Sequence, residues 1–128
     1  MNTKTLSGKK LLIIMSNADP AKAESCYAPL FQATIAAALS HEVEVVLTGV
    51  SGQLAIAGIA EKVEMNLDTH STLYDIILEA HSAGVSFKAC NTSLKMAGEE
   101  LISQVEEKVG AAHVIAEAMD DNTVTFTY

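Results

Sequence analysis

The segment KKLLIIMS, Lys9 to Ser16, is a continuous apolar run entered through two lysines. It lacks polar alternation, so it reads as a strand buried on both faces, the kind found inside parallel sheets. Asn17-Ala18-Asp19-Pro20 then breaks the run as a loop. Beyond it, Tyr27, Leu30, Phe31, Ile35, Ala38 and Leu39 recur at helical spacing. That spacing predicts a helix from about Ser25 to Ser40, with Pro29 in its first turn, where a missing N–H costs little.

The same alternation of strand and helix continues. EVEVVLTG (Glu42 to Gly49) reads as a second strand, Leu54 to Ala60 as a short apolar helix, and Glu61 to Asp68 as a charged connection. Thr72 to Ala83 is the clearest helix. Thr72 and Asp75 form a capping-box pattern, Leu73, Ile76, Ile77 and Ala80 share one face, and Gly84 stops it. VSFKAC (Val85 to Cys90) is a third strand. From Thr92 the spacing of Leu94, Ala97, Leu101, Ile102 and Val105 suggests another helix, broken at Gly98. A very short strand within Lys108 to Ala111, a helix over Ala112 to Met119 and a strand over Thr123 to Tyr128 complete the pattern.

Strands alternating with helices imply an α/β fold with a mainly parallel, roughly five-stranded sheet covered on both faces. A chain of 128 residues without repeats or linkers is expected to be a single domain over residues 1–128. In such sheets the working site lies beyond the carboxyl ends of the strands. That edge carries Asn17 to Ser25, Gly49 to Gln53 and Cys90 to Ser93.

Composition narrows the function classes. Apolar residues make up 49% of the chain and the net charge is −8, which disfavours nucleic acid as a partner. Every basic residue is a lysine, so bidentate arginine clamps on phosphate or carboxylate are excluded. The polar start MNTKTLSGKK and the short apolar run after it do not read as a signal peptide, and no apolar stretch is long enough for a membrane span. A cytoplasmic protein is expected. Gly49-Val50-Ser51-Gly52 is neither a GxSxG elbow nor a phosphate loop. His41, His70, His81 and His113 are scattered and no CxxC occurs, so neither metal nor cofactor is expected.

Two cysteines remain, Cys26 and Cys90, both expected as free thiols. Cys90 ends a strand and is followed by Asn91, Thr92 and Ser93, residues that favour a helix start. A thiol there meets unpaired backbone N–H groups and the positive end of a helix dipole, both of which favour thiolate. Lys88 and Lys95 are candidates for added positive potential. The competing reading is a packing cysteine at the end of a core strand.

The stretch GVSFKACNTSLKMAG (Gly84 to Gly98) resembles the DsrE/DsrF-like (sulfur-relay, TusD-like) family, in which a strand leads into a cysteine, a small polar segment, a Met/Leu pair and a glycine. The flanking apolar strand, the alanine-rich helix and the strand ending in Thr-Gly agree with it. The resemblance implies a three-layer α/β/α sandwich assembled as a homo-oligomer, a trimer or hexamer. It also implies that Cys90 accepts sulfane sulfur, as a persulfide or a thiosulfonate, from a rhodanese-type donor or passes it to a TusA-like carrier, in cytoplasmic sulfur metabolism such as sulfur oxidation. Asn91, Thr92 and Ser93 are the candidate supporting anion site. Cys26 departs from the family pattern; a second, resolving thiol and a buried helical cysteine are both open. The alternative function is a non-catalytic oligomer subunit or small-ligand-binding module whose cysteine is buried.

Overall fold

In a computed structural model the chain runs β1 (Lys10–Met15), α1 (Ala23–Ala38), β2 (Glu42–Leu47), a 3₁₀ helix (Gly49–Ala55), a 3₁₀ turn (Ala60–Lys62), β3 (Glu64–Asn66), β4 (Ser71–Thr72), α2 (Leu73–Ala83), β5 (Ser86–Cys90), β6 (Val105–Val109), α3 (Ala111–Ala118) and β7 (Thr123–Thr127). The structure describes residues 9–66, 68–93 and 96–128. A parallel sheet has the order β6-β5-β2-β1-β7, so the apolar β1 and β2 lie well inside it. The α/β architecture expected from the sequence is therefore present.

Side chains alternate across the sheet and divide the core in two. Ile13, Met15, Val43, Val45, Leu47 and Phe87 pack toward α1 and α2, which add the buried Leu30, Ala33, Leu73 and Ile77. Leu12, Val46, Cys90 and Val109 point to the other face, where Val114 and Ala118 of α3 meet them. α2 has the capping box read from the sequence, Thr72 with Asp75, and ends on Gly84 at φ +111, a conformation that favours glycine.

Elsewhere the local patterns mislead. α1 starts at Ala23, earlier than expected, so Pro29 sits in its second turn and is buried. The helix expected over Leu54 to Ala60 is replaced by the earlier 3₁₀ helix. Gly49 opens that helix at φ +54, and a Cβ there would come within 2.7 Å of the Ser16 carbonyl oxygen. The connection from Glu61 to Asp68 contains β3, which pairs antiparallel with β4.

The largest departure follows Cys90. Among the described residues from 91 to 104 there is no α-helix; Leu94 and Lys95 lie outside the described residues. Leu101 instead bridges Ile56, and the Ile102 amide bonds the Ala55 carbonyl at 2.8 Å. The short strand expected near Lys108 is the five-residue edge strand β6, paired parallel with β5 with a register shift between Phe87 and Lys88. Leu101, Ile102 and Val105 have helical spacing, but their partners are strand and loop segments distant in sequence.

Candidate functional site

Cys90 is the last residue of β5, at the carboxyl edge of the sheet. On one side it pairs with Val109 of β6. On the other, the register Leu47↔Ala89 brings Thr48 alongside it. The side chain turns to the α3 face and is 6% exposed.

Its sulfur is not surrounded by hydrocarbon alone. The Thr92 hydroxyl lies 2.9 Å from Sγ, and the Ser93 amide closes the turn onto the Cys90 carbonyl at 3.1 Å. Burial pushes the thiol pKa up, but hydrogen bonds from the Thr92 hydroxyl, the Thr92 backbone and the Thr48 hydroxyl outweigh it. The net direction is below the ordinary thiol value. Neutral donors aimed at a small anion favour thiolate without any cation.

The three residues after Cys90 have separate engagements. Thr92 meets the sulfur. Ser93 is buried, and its hydroxyl donates to the Gly49 carbonyl at 3.1 Å, which ties the turn to the end of β2. Asn91 is exposed, its amide bonds the Val109 carbonyl at 2.8 Å, and its side chain lies beside Gly110. An α-helix start does occur at this edge, but it belongs to α3. That helix begins at Ala111, two residues past the register partner of Cys90, and its N-cap Gly110 offers no side chain.

Cys26 is not brought to Cys90. It is fully buried on α1 in the core on the opposite face, and the sheet stands between the two thiols. Burial, with the nearby Asp19 charge, raises its thiol pKa against the opposing Ser25 hydroxyl. The two cysteines thus differ in environment and in direction of shift.

Lys88 shares a strand face with Cys90, but its ammonium is engaged by Glu44 at 3.7 Å and Glu107 at 3.5 Å. Glu44, with a side chain 5% exposed, is the hub of a charge cluster under α3. It accepts from Lys10 at 2.9 Å and meets Nε2 of His113 at 2.7 Å, while Lys10 also pairs with Glu117. Burial pushes the Glu44 carboxyl up, yet the bonds from Lys10 and His113, with the Lys10 and Lys88 charges, hold it below the usual range. Among the described residues no group of three or more His, Cys, Asp or Glu side chains could hold a metal ion. No described helix is long and apolar enough to cross a membrane.

Neither Thr48 nor this cluster stands out in the sequence. The strand end Leu47-Thr48-Gly49 gives a usable signal for Thr48 once β2 and β5 are set side by side.

No protein-family model matches the chain, and no curated protein matches it in sequence. A solved structure is similar in fold: the crystal structure of the ychN protein from E. coli, with a TM-score of 0.67 and 16% sequence identity, covering 91% of this chain and 99% of that one. The two share a fold. The likeness to the ychN protein spans nearly both chains.

Proposed function

We propose that this chain is a sulfur carrier or sulfurtransferase in which Cys90 is the transient acceptor. The observation that carries the reading is the Cys90 sulfur at the carboxyl edge, 2.9 Å from the Thr92 hydroxyl, with its thiol pKa lowered. The resemblance of Gly84 to Gly98 to the DsrE/DsrF-like family supports it, and the fold shared with the ychN protein is compatible with it.

In the loading step the Cys90 thiolate attacks the outer sulfur of a donor persulfide. A new S–S bond forms on Cys90, the donor's S–S bond breaks, and the donor cysteine leaves as thiolate with the electron pair. In the unloading step a partner thiolate attacks the outer sulfur on Cys90, which regenerates the Cys90 thiolate. Both steps are thiol–disulfide exchange in type and need no external oxidant or reductant. A rhodanese-type protein suits the donor role and a TusA-like protein the acceptor role, in the cytoplasm.

Homo-oligomerisation, as a trimer or hexamer, belongs to the same proposal. Tyr27, Phe31 and Ile35 of α1, with its C-cap residue Leu39, form an exposed stripe at i, i+4 spacing. Phe31, Ile35 and Leu39, with Val124 and Phe126 of β7, border an apolar groove of about 620 Å³. A second copy is the occupant favoured by the resemblance.

The competing reading is a non-catalytic oligomer subunit or ligand-binding module, favoured by the 6% exposure of Cys90. Cyanolysis separates the two. After polysulfide treatment and desalting, cyanide releases bound sulfane sulfur as thiocyanate. The carrier reading expects thiocyanate from wild type and Cys26→Ser but not from Cys90→Ser. Equal release from wild type and Cys90→Ser favours the competing reading.

A further inference from the structure

We propose that α3 is a releasable cover over Cys90, fastened by the Glu44 charge cluster, and that its local release admits a docked thiol to the sulfur. Its role in transfer rests on the carrier reading of Cys90, but its test needs no sulfur chemistry.

α3 is held differently from the other helices. α1 and α2 bury Leu30, Ala33, Leu73, Ile77 and Ala80 in the core, whereas no residue of α3 is buried. Its apolar attachment is Val114 and Ala118 against the small cluster of Leu12, Val46, Cys90 and Val109. Its polar attachments are the hydrogen bond between His113 and Glu44 and the ion pair of Glu117 with Lys10. Its outer side leaves Ile115 and Met119 exposed, and its N-cap has no side-chain bond. Few buried contacts are the mark of an element that opens below the global unfolding free energy.

Release also leaves the sheet's charges compensated. When α3 lifts, Glu44 keeps Lys10 at 2.9 Å and Lys88 at 3.7 Å, and Lys88 keeps Glu107 at 3.5 Å. Glu42 stays near Lys10 at 3.7 Å. No buried carboxylate is stranded, so the penalty that normally locks a buried ion pair is avoided here. The cluster fixes where α3 returns without depending on α3 for its own neutralisation.

The test compares iodoacetamide labelling of the two thiols at a pH well above the Cys90 midpoint, so that ionisation is not limiting. Cys26, in the other half of the core, reports global unfolding within the same molecule. In the double variant His113→Gln with Glu117→Gln, Cys90 is expected to label roughly tenfold faster, as befits a local opening eased by loss of one partly buried ion pair and weakening of one hydrogen bond, with Cys26 still protected. An unchanged Cys90 rate, or Cys26 rising in step with Cys90, overturns the proposal. Amide exchange on the wild type gives a second reading that needs no variant: α3 amides are expected to exchange well before those of β1 and β2. Equal protection of α3 and the central strands overturns it.

Discussion

The Thr92 hydroxyl lies 2.9 Å from the Cys90 sulfur, and the thiol so held is shifted toward thiolate although its residue is 6% exposed. Hydroxyl and amide donors thus offset the burial that alone would keep the thiol neutral. The contrast with Cys26, where burial wins, makes the pair an internal comparison.

Thr92→Val removes a donor to the thiolate and keeps the side-chain shape. One hydrogen bond to an anion is worth about 1.5 kcal/mol, so the midpoint of Cys90 alkylation should rise by roughly one pH unit. Thr48→Val should move it the same way by a smaller amount. The pH dependence of iodoacetamide labelling, read by mass, checks both. In wild type the midpoint should fall below about 8.5, the free-thiol value.

Glu44 should govern acid stability. Its folded pKa is depressed, so its stabilising contribution is complete above about 4.3, the unfolded carboxylate value, and is lost as pH falls through the lower folded value. Glu44→Gln leaves Lys10 and Lys88 without their shared carboxylate and should cost about 3 kcal/mol at neutral pH. The same variant should lose stability less steeply in acid. Urea unfolding followed by circular dichroism from pH 3 to 7 (about the carboxylate range) measures both effects.

Gly49→Ala tests the turn that carries Thr48 and receives the Ser93 hydroxyl. Its φ of +54 and the 2.7 Å approach of a Cβ to the Ser16 carbonyl oxygen leave no room for a side chain. A loss of about 2 kcal/mol is expected, from strain in the left-handed region and displacement of backbone. Gly58→Ala, where nothing lies within 4 Å of the added Cβ, should cost less despite its φ of +93. Thermal unfolding of the two variants side by side gives the comparison.

Much of the sheet is legible in the sequence because its signals are local. The unbroken apolar run of β1, the capping box at Thr72 and the stop at Gly84 each act within a few residues. Cys90 at a strand end is legible for the same reason. The segment from Thr92 to Val109 is not, since Leu101 and Ile102 pair with Ile56 and Ala55, and Val105 with Phe87. Helical spacing there is coincidental to contacts made far along the chain. Thr48 depends on strand register, and the Glu44 hub joins residues separated by 34 and 69 positions. Such sites become visible only when the strands are placed.

Sulfur loading is measured most directly by intact mass after brief exposure to inorganic polysulfide, removal of excess reagent and no reduction. Wild type and Cys26→Ser should each gain sulfur at one position, lost on reduction with dithiothreitol, while Cys90→Ser should gain none. Wild type that stays unmodified, or sulfur that still appears on Cys90→Ser at the wild-type level, contradicts the assignment of Cys90 as the acceptor.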